Sequence, residues 1–443
     1  MEKLMSTEKT QTSNLHRIVI VGGGAGGLEL ATRLGNQLGK HQHAEIILVD
    51  AALTHIWKPL LHEVAAGTLN SYEDELNYFA HASQHHFEFF LGRLTDLDRA
   101  SKKIVLGALK DEDGKEVAPE RCIAYDTLVL AIGSTSNDFG TPGAKEHCIF
   151  LDSRPQADRF QREFLSLYLE AQARNLIEPH ENTLNIAIIG AGATGVELAA
   201  ELHHAANQFS KYGLNSIDPK DVKISLIEAA PRILPALSER VSEGAEKELQ
   251  KIGVNVLKNC RVTHIDAHKV YCEGDIQIPA TLKVWSAGIK APDFLKNIGG
   301  LETNRINQLV VKPSLQTTLD DDIFAMGDCA CYIPTGAERP VPPRAQVANQ
   351  EAIFLAKALA HRLQNKPLGT FEFKDKGSLV SLSNQSTVGN ILGNINVEGL
   401  FARMMYVSLY RFHQVALHGV FKTSLMIIKD LLSKGSSPQL KLH

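Results

Sequence analysis

The sequence of 443 residues lacks several features that define common classes of protein. Its six cysteines, at 122, 148, 260, 272, 329 and 331, form no Cys-x-x-Cys pair, which excludes a disulfide scaffold and predicts reduced thiols. No run of 18 apolar residues occurs, so no membrane-spanning helix is expected. The first sixteen residues are polar and lack the apolar core of a signal peptide. These absences predict a folded body in a reducing, cytoplasmic space, and no metal site is predicted.

Clusters of positive charge are also lacking over most of the chain. The net charge is −4, and the first 390 residues contain no basic tract and no aromatic stacking platform, which argues against nucleic acid as a partner. Hydrophobic residues make up 44% and charged residues 22%, an ordinary globular balance. The length predicts about three domain-sized units of roughly 150 residues each.

A glycine-rich turn follows the first predicted strand. Residues 17–21 form a β-branched run that leads into Gly22, Gly24 and Gly27, spaced as G-x-G-x-x-G before a helix. Such glycines allow a tight turn, close approach of a pyrophosphate and close packing of the helix on the strand. A second strand ends on Asp50, which lies 23 residues past Gly27, near the distance expected for a ribose-hydroxyl acceptor. The segment therefore predicts a dinucleotide-binding fold.

The same arrangement recurs in the second half of the chain. A strand over 184–189 leads into Gly190, Gly192 and Gly195, and the next strand ends on Glu228, 33 residues past Gly195. An acid at this strand end accepts from a free ribose 2′-hydroxyl and repels a 2′-phosphate, so NADH is favoured over NADPH. Two dinucleotide sites on one chain predict hydride traffic between two dinucleotides.

Three further strands end in small residues or in an acid. Residues 125–133 and 281–288 end in small residues, late in each half, where the backbone must pass close to a cofactor. The strand that ends on Gly327 and Asp328 follows both folds, so its acid could return to the first domain and bind a flavin ribityl chain.

Together these segments resemble the two-dinucleotide flavoprotein family, which includes disulfide reductases and ferredoxin reductases, over about residues 16–330. Within it the chain looks most like the type II NADH:quinone oxidoreductases. Residues 55–67 occupy the place of the redox cysteine pair of the disulfide reductases and contain no cysteine. Residues 345–350 look like the quinone-site sequence, and 377–383 resemble the strand that opens the C-terminal part.

The resemblance implies a role for individual residues. FAD is expected on the first fold and NADH on the second, with the nicotinamide stacked on the flavin. Glu197 is expected to face the nicotinamide and flavin, and Gln346 and Gln350, on one helix face, to bind the quinone carbonyls. The residues expected to hold FAD are Gly22, Gly24, Gly27, Asp50, Lys58, Pro59, Ala131, Gly133 and Asp328, and those expected to hold NADH are Gly190, Gly192, Gly195, Glu197, Glu228 and Gly288.

One departure concerns the proton supply to the quinone. Some family members carry a lysine just before the C-terminal helix, near the flavin, whereas Met404 and Met405 stand in that stretch here. The group that protonates the quinone therefore stays open.

The composition changes from Gly399 onward. Residues 399–443 carry a net charge of +5, which leaves −9 for the rest of the chain, and their apolar residues recur every three or four positions. One or two amphipathic helices are predicted, with a break near Gly419, and a basic face opposite an apolar stripe suits an anionic bilayer surface. The alternative is a helix packed on its own domain or on a second subunit.

The predicted fold is α/β, with two Rossmann-like dinucleotide-binding domains and a C-terminal amphipathic membrane-anchoring segment. Its expected parts are a polar tail (1–15), two FAD-domain segments (16–150 and 291–395, the latter with the quinone-site helix), an NADH domain (151–290) and a membrane-binding segment (396–443).

The predicted activity is FAD-dependent transfer of electrons from NADH to a membrane quinone, without proton pumping. The predicted place is the cytoplasmic face of a cell inner membrane, as a peripheral protein and a possible homodimer. Three alternatives stay open: a sulfide:quinone oxidoreductase, whose candidate sulfur-holding thiols are Cys122, Cys148, Cys329 and Cys331, a soluble ferredoxin reductase, and a non-enzymatic NADH–flavin redox sensor.

Overall fold

The computed structural model describes residues 15–70, 75–111, 113–177, 183–382, 386–391 and 395–433, together with Leu440. Two compact units divide the chain. The first holds Met1–Leu53, Asn77–Gly133 and Asp293–Phe371, and the second holds Thr54–Leu76, Ser134–Pro292 and Glu372–His443. Of the predicted polar tail, residues 1–14 lie outside the described residues. The boundaries of the five predicted parts stay a prediction, and residues 54–76, assigned from the sequence to the FAD domain, belong to the second unit.

Both units contain sheets of three or more strands, whose strands are given below, together with α-helices. The strands are β1 (His16–Val21), β2 (Ala44–Asp50), β3 (Glu88–Leu91), β4 (Leu94–Asp98), β5 (Lys103–Leu106), β6 (Arg121–Ala124), β7 (Thr127–Leu130), β8 (Ile149–Phe150), β9 (Leu184–Ile189), β10 (Val222–Ile227), β11 (Asn255–Leu257), β12 (Val262–Ile265), β13 (Lys269–Cys272), β14 (Ile276–Pro279), β15 (Leu282–Trp285), β16 (Gln316–Thr317), β17 (Asp320–Ala325), β18 (Gly377–Leu382), β19 (Ser386–Ile391) and β20 (Ile395–Glu398). The helices are α1 (Ala25–Leu34), α2 (Leu61–Ala66), α3 (Tyr78–His85), α4 (Ala144–His147), α5 (Arg154–Ile177), α6 (Ala193–Lys211), α7 (Glu239–Lys251), α8 (Ala345–Leu363) and α9 (Gly399–Ser433).

The first unit is built on a six-stranded sheet in the order β16-β17-β7-β1-β2-β3. The four inner strands and β3 are parallel, and only β16 runs antiparallel to its neighbour. β1 lies in the middle because its β-branched residues suit a strand covered on both faces, and Ile18, Val19 and Ile20 are almost fully buried. The carboxyl ends of β1, β2, β7 and β17 therefore meet at one edge of this sheet.

The second unit repeats this plan with a five-stranded parallel sheet in the order β8-β15-β9-β10-β11. In the pair β9 and β10, Leu184 lies opposite Val222 at the amino ends and Ile189 lies opposite Ile227 at the carboxyl ends. α5 packs its fully buried Phe160, Phe164 and Tyr168 into the core of this unit. The repeated order confirms the predicted fold class.

A second sheet and a long helix complete the second unit. β18, β19 and β20 form an antiparallel sheet, and α9 packs on β19. α9 contains a break at Gly419, where φ is 77° and ψ is 167°, so the predicted interruption of the helix is present. Among the residues described, no helix is long and apolar enough to cross a membrane.

Two candidate dinucleotide sites and a buried carboxyl cluster

The first glycine loop has the geometry of a phosphate-binding turn. Gly22 has a φ of 106°, and its N–H donates to Val49 O at 2.8 Å. A Cβ at Gly22 would overlap the Ala131 carbonyl, and a Cβ at Gly27 would overlap the carbonyl of Gly22. By contrast, a Cβ at Gly24 would have no atom within 4 Å, so this face of the loop is open to a phosphate. The loop thus fits a pyrophosphate on the amino end of α1.

Asp50 contacts the glycine loop directly. Its Oδ2 accepts from Gly23 N at 2.6 Å, and its Oδ1 accepts from Ala52 N at 2.8 Å. Tyr78, on α3, donates its hydroxyl to Gly23 O at 2.7 Å. Burial raises the pKa of Asp50, and these backbone N–H groups oppose that rise by stabilising the carboxylate. The acid predicted to bind a ribose therefore also fixes the second residue of the loop.

The second loop repeats the backbone geometry of the first loop and the contacts of its acid. Gly190 has a φ of 102° and donates to Ile227 O at 2.8 Å, and a Cβ at Gly195 would overlap the Gly190 carbonyl. A Cβ at Gly192 would have no atom within 4 Å. Glu228 reproduces the role of the first acid, because its Oε2 accepts from Ala191 N and its Oε1 from Ala230 N, each at 2.9 Å. Its carboxylate lies at the loop, as a ribose acceptor must.

The predicted quinone-site helix, α8, packs on α1 through small residues. A Cβ at Gly26 would overlap the methyl of Met326 and lie only 3.0 Å from Ala348 O. Asn349 donates to Glu29 at 2.6 Å, and this fully buried glutamate also pairs with Arg33. The helix that starts at the first glycine loop and the helix of the 345–350 motif are thereby locked together within the first unit.

The two glutamines of that motif and the acid that follows it have different surroundings. Gln346 and Gln350 lie one turn apart on α8 and are half-buried, so the structure brings them to one part of the helix. Glu351 is buried and accepts from Gly327 N at 2.6 Å, which holds the turn that carries Asp328. Burial raises the pKa of Glu351 to about 8. Glu351 was not among the site residues predicted from the sequence, although it directly follows the motif and lies 24 residues past Gly327.

Glu197, on the first turns of α6, is buried in the second unit. Its Oε1 accepts from Ser381 N at 3.0 Å, and Tyr406 of α9 donates its phenol to the same carboxyl group. His62 Nδ1 lies 3.6 Å from Glu197 Oε2, and Glu63 and Glu201 lie close enough to interact electrostatically. The structure therefore surrounds the predicted catalytic acid with two more carboxyl groups, an imidazole and a phenol.

This environment keeps Glu197 protonated at neutral pH. Burial, reinforced by the charges of Glu63 and Glu201, raises its pKa to about 8 against the opposing hydrogen bonds from Ser381 and Tyr406. Burial also lowers the pKa of His62 to about 4. Both groups are thus neutral at pH 7, so their contact is not an ion pair. A neutral buried acid can hold a proton and release it to a reacting group.

The raised pKa of Glu197 predicts a dependence of stability on pH. Folded protein binds this proton more tightly than unfolded protein, so the free energy of unfolding should fall as the pH rises from about 4.5 to about 8. Glu197→Gln should flatten this fall, measured as the melting temperature at pH 5, 6, 7 and 8. Glu273→Gln, at an exposed position, is the control, and equal slopes in both variants would contradict the assignment.

Other predicted site residues lie in different parts of the two units. Lys58 Nζ donates to Ser134 O at 2.8 Å and lies 3.9 Å from Asp152, and Pro59 follows it in a single 3-10 turn of the second unit. Gly133 is the last residue of one segment of the first unit and has a φ of 79°. Gly288 follows β15 and has a φ of 63°. Their cofactor contacts stay predictions.

The expectation about Met404 and Met405 was wrong in one respect. Both residues lie inside α9, which begins at Gly399, so they do not occupy the stretch before the C-terminal helix.

Comparison with known sequences places the chain among flavin-linked oxidoreductases. A family profile described as pyridine nucleotide-disulphide oxidoreductase matches residues 16–352. The chain is 46% identical to a type II NADH:quinone oxidoreductase of Haemophilus influenzae, over 97% of this chain and 100% of the relative. It is 31% identical to the type II NADH:quinone oxidoreductase of Staphylococcus aureus, over 85% of this chain and 90% of the relative.

Comparison of structures gives the same fold. The NDH2 structure from Plasmodium falciparum in complex with NADH superposes with a TM-score of 0.80 at 19% identity, over 96% of this chain and 100% of that one. The sulfide:quinone oxidoreductase of Aquifex aeolicus gives a TM-score of 0.71 at 17% identity, over 96% of both chains. At these identities the likeness concerns the fold alone, which both kinds of enzyme share.

Proposed function

Because the chain belongs to the type II NADH:quinone oxidoreductases, within the pyridine nucleotide-disulphide oxidoreductase family, we propose that it oxidises NADH and reduces a membrane quinone, using FAD and without pumping protons. The observation that carries this proposal is the duplicated loop. Each unit has a glycine turn open at its middle glycine and an acid that binds the second residue of the turn. Two such loops suit two dinucleotides.

The first unit is the FAD site of this proposal. Gly22, Gly24 and Gly27 receive the pyrophosphate, Asp50 accepts from the adenosine ribose, and Asp328 binds the ribityl chain from the turn that Glu351 holds. Bound FAD would take a hydride from NADH and give two electrons to the quinone. Ala131 and Gly133 are the further residues of this unit assigned to FAD.

The second unit is the NADH site. Gly190, Gly192 and Gly195 receive its pyrophosphate, Glu228 accepts from the ribose, and Gly288 allows the backbone to pass close to the nicotinamide half. Reduction of a quinone consumes two protons in all, of which the hydride of NADH supplies only one. Glu197, neutral at pH 7, is a proton-holding group of this unit that could supply the other.

The quinone and membrane assignments rest on the C-terminal half of the chain. Gln346 and Gln350 can each donate to a quinone carbonyl and accept from the quinol. α9 exposes large apolar side chains over most of its length, including Phe412, Phe421 and Leu432 at 69%, 77% and 79%. Together with the +5 net charge of residues 399–443, these suit an anionic bilayer surface, and we place the protein on the cytoplasmic face of the inner membrane.

The sulfide-oxidising alternative finds little support in the thiols. Cys329 is buried, donates to the carbonyls of Leu130 and Met326, and has a pKa raised to about 11 by burial. Burial likewise raises the pKa of Cys148 to about 12. Such thiols are poor nucleophiles toward sulfur compounds, because the thiolate is the reactive form.

The test is anaerobic mixing of the purified, yellow protein with NADH and then with a quinone, while the flavin spectrum is recorded. We expect NADH to bleach the flavin and the quinone to restore its colour. Separate arms with NADPH and with sulfide distinguish the alternatives. Failure of NADH to bleach the flavin, or bleaching by sulfide alone, would overturn the proposal.

We expect Glu228→Gln to narrow the preference for NADH over NADPH. The substitution removes a charge that repels a 2′-phosphate, yet its remaining carbonyl can still accept one of the two loop N–H groups. The measurement is the ratio of kcat/KM for NADH to that for NADPH. An unchanged ratio would show that Glu228 does not discriminate between the two.

We expect Gln346→Ala and Gln350→Ala to slow reoxidation of the reduced flavin by quinone, by about tenfold each for one lost hydrogen bond to a bound ligand. Reduction of the flavin by NADH should keep its normal rate. Stopped-flow half-reactions separate the two steps. Gln364→Ala, which follows the end of the same helix, is the matched control, and slowed reduction with normal reoxidation contradicts the assignment.

A further inference from the structure

Phe139 is an exposed aromatic residue in a strained backbone conformation. Its φ is 51°, a left-handed value that bulky side chains rarely adopt, and its side chain is 66% exposed. Because two-thirds of the ring surface is exposed, burial of the ring does little to offset that strain. Strain of this kind persists where the surroundings fix the backbone, and it concentrates at binding sites.

The surroundings that fix Phe139 belong to the same unit. Asn137 Oδ1 accepts from Phe139 N at 3.0 Å, and Asn137 N donates to Gly288 O at 3.2 Å. The buried Trp285 donates its indole N–H to Asn137 O at 2.9 Å. Directly before this turn, Thr135–Ser136 pairs antiparallel with Ile289–Lys290. Hydrogen bonds and strand pairing therefore hold the turn against the residues at and just after the end of β15.

The ring of Phe139 lies against Gly288. A Cβ at Gly288 would overlap the ring, and a side chain there is also strained because φ is 63°. Glycine at 288 thus leaves room for the ring as well as for the turn. The result is an aromatic face at the carboxyl end of β15.

The order of strands in the sheet indicates which half of a bound dinucleotide would lie near Gly288 and Phe139. β9, which leads into the second glycine loop, lies between β10 and β15. Glu228 follows β10, so the adenosine half belongs on the β10 side of the loop. A dinucleotide that crosses the loop then extends its other half over the end of β15, toward Gly288 and Phe139.

We propose that the Phe139 ring packs against the nicotinamide riboside half of the dinucleotide and sets its position. This inference rests on the proposed function of the second unit as the NADH site. Aromatic rings gain from stacking on a flat π-system, and the ring is already held in place, so little freedom is lost on binding. Selection for that contact accounts for an exposed ring on a strained backbone.

The test uses the full-length, FAD-loaded protein and equilibrium calorimetry with two ligands. NAD⁺ carries the nicotinamide riboside, and ADP-ribose lacks the nicotinamide ring. We expect Phe139→Gly to raise the dissociation constant of NAD⁺ by about three- to tenfold, because one stacking contact is lost and a tenfold change corresponds to about 1.4 kcal/mol. The dissociation constant of ADP-ribose should stay unchanged. Phe139→Tyr, which keeps a ring, should bind NAD⁺ like the wild type.

A stability measurement separates the ring from the fold. Glycine relaxes the strain at φ 51°, so the melting temperature of Phe139→Gly should not fall. Phe294→Ala, another partly exposed phenylalanine, is the control and should change neither ligand. Unchanged NAD⁺ binding in Phe139→Gly, or equal weakening of both ligands, overturns this inference. Failure of the wild type to bind either ligand would instead overturn the proposed NADH site.

Discussion

Gly195→Ala is expected to weaken NADH binding by about a hundredfold while the protein keeps its FAD. The added Cβ would overlap the Gly190 carbonyl and lie 2.8 Å from Ser286 Oγ. Neither neighbour can move freely, because Ser286 donates to Gly190 O at 2.9 Å and Gly190 has a φ of 102°. The start of α6 must shift away from β9, and displacement of a phosphate-binding backbone by an ångström is costly to ligand positioning.

The control for this prediction is Gly244→Ala in α7. A Cβ at Gly244 would have no atom within 4 Å, and alanine in a helix interior stabilises by roughly 0.5–1 kcal/mol relative to glycine. Calorimetric titration with NAD⁺, which occupies the same site and does not reduce the flavin, measures the binding, and flavin absorbance measures the FAD content. In the first unit, Gly27→Ala should show the reverse pattern, with loss of FAD. Normal NADH binding by Gly195→Ala would mean that the second loop is not the NADH site.

Replacement of Phe421, Leu425, Leu431 and Leu432 by serine is expected to weaken co-sedimentation with anionic vesicles strongly and to leave FAD and NADH binding intact. These side chains are exposed, whereas Leu440, which lies in the core of the second unit, is kept. Beyond Gly419, α9 exposes Val420, Phe421, Leu425, Ile428, Leu431 and Leu432 by 52–79%. Each such side chain contributes up to roughly 1.5–3 kcal/mol if fully withdrawn from water. Lys422 and Lys429 each add about 1 kcal/mol near an anionic surface.

Truncation is not equivalent to these substitutions. Deletion of everything after about Ala402 would remove the first half of α9, which is part of the folded unit. Leu417 is buried there, Tyr406 bonds to Glu197, and His413 Nε2 lies 3.1 Å from His55 Nε2. Deletion from Ala402 should therefore destabilise the second unit as well as the membrane contact.

Vesicle sedimentation at low and high salt measures the anchor. Salt should release the full-length protein only in part, because the apolar contribution is not screened. Leu169→Ser with Ile177→Ser removes exposed apolar side chains from α5 and should leave vesicle binding unchanged. Equal partitioning of the substituted and wild-type proteins contradicts the anchor. A change in molecular mass in solution would then identify the exposed stripe as a contact between two copies of the chain.

Local signals predicted the parts of the fold that depend on neighbouring residues. The β-branched run before Gly22, the glycine spacing and the acid that ends β2 are all read within about 35 residues, and the second copy repeats them. The break at Gly419 was predicted on the same basis, since a glycine interrupted a regular apolar pattern. Such features require no knowledge of distant contacts.

Features that depend on distant residues could not be predicted in this way. Glu197 was found as an acid on a helix start, but its raised pKa comes from burial among Glu63, Glu201 and Tyr406, which are up to 209 positions away. The strain at Phe139 depends on Trp285, at the end of β15, and on Gly288, which follows that strand much later in the chain. Neither the spacing nor the composition of the sequence contains that information.

The close packing of α1 on α8 has a consequence for how this protein tolerates mutation. Gly26 is assigned to neither cofactor nor substrate, yet its missing side chain sets the separation between the helix of the first loop and the helix that carries Gln346 and Gln350. The constraint at this position is therefore one of spacing and not of chemistry. A methyl group at Gly26 would displace the helix that carries the two glutamines, although the residues of that helix are unchanged. Harmful variants at Gly26 would therefore have the same effect as loss of the quinone site.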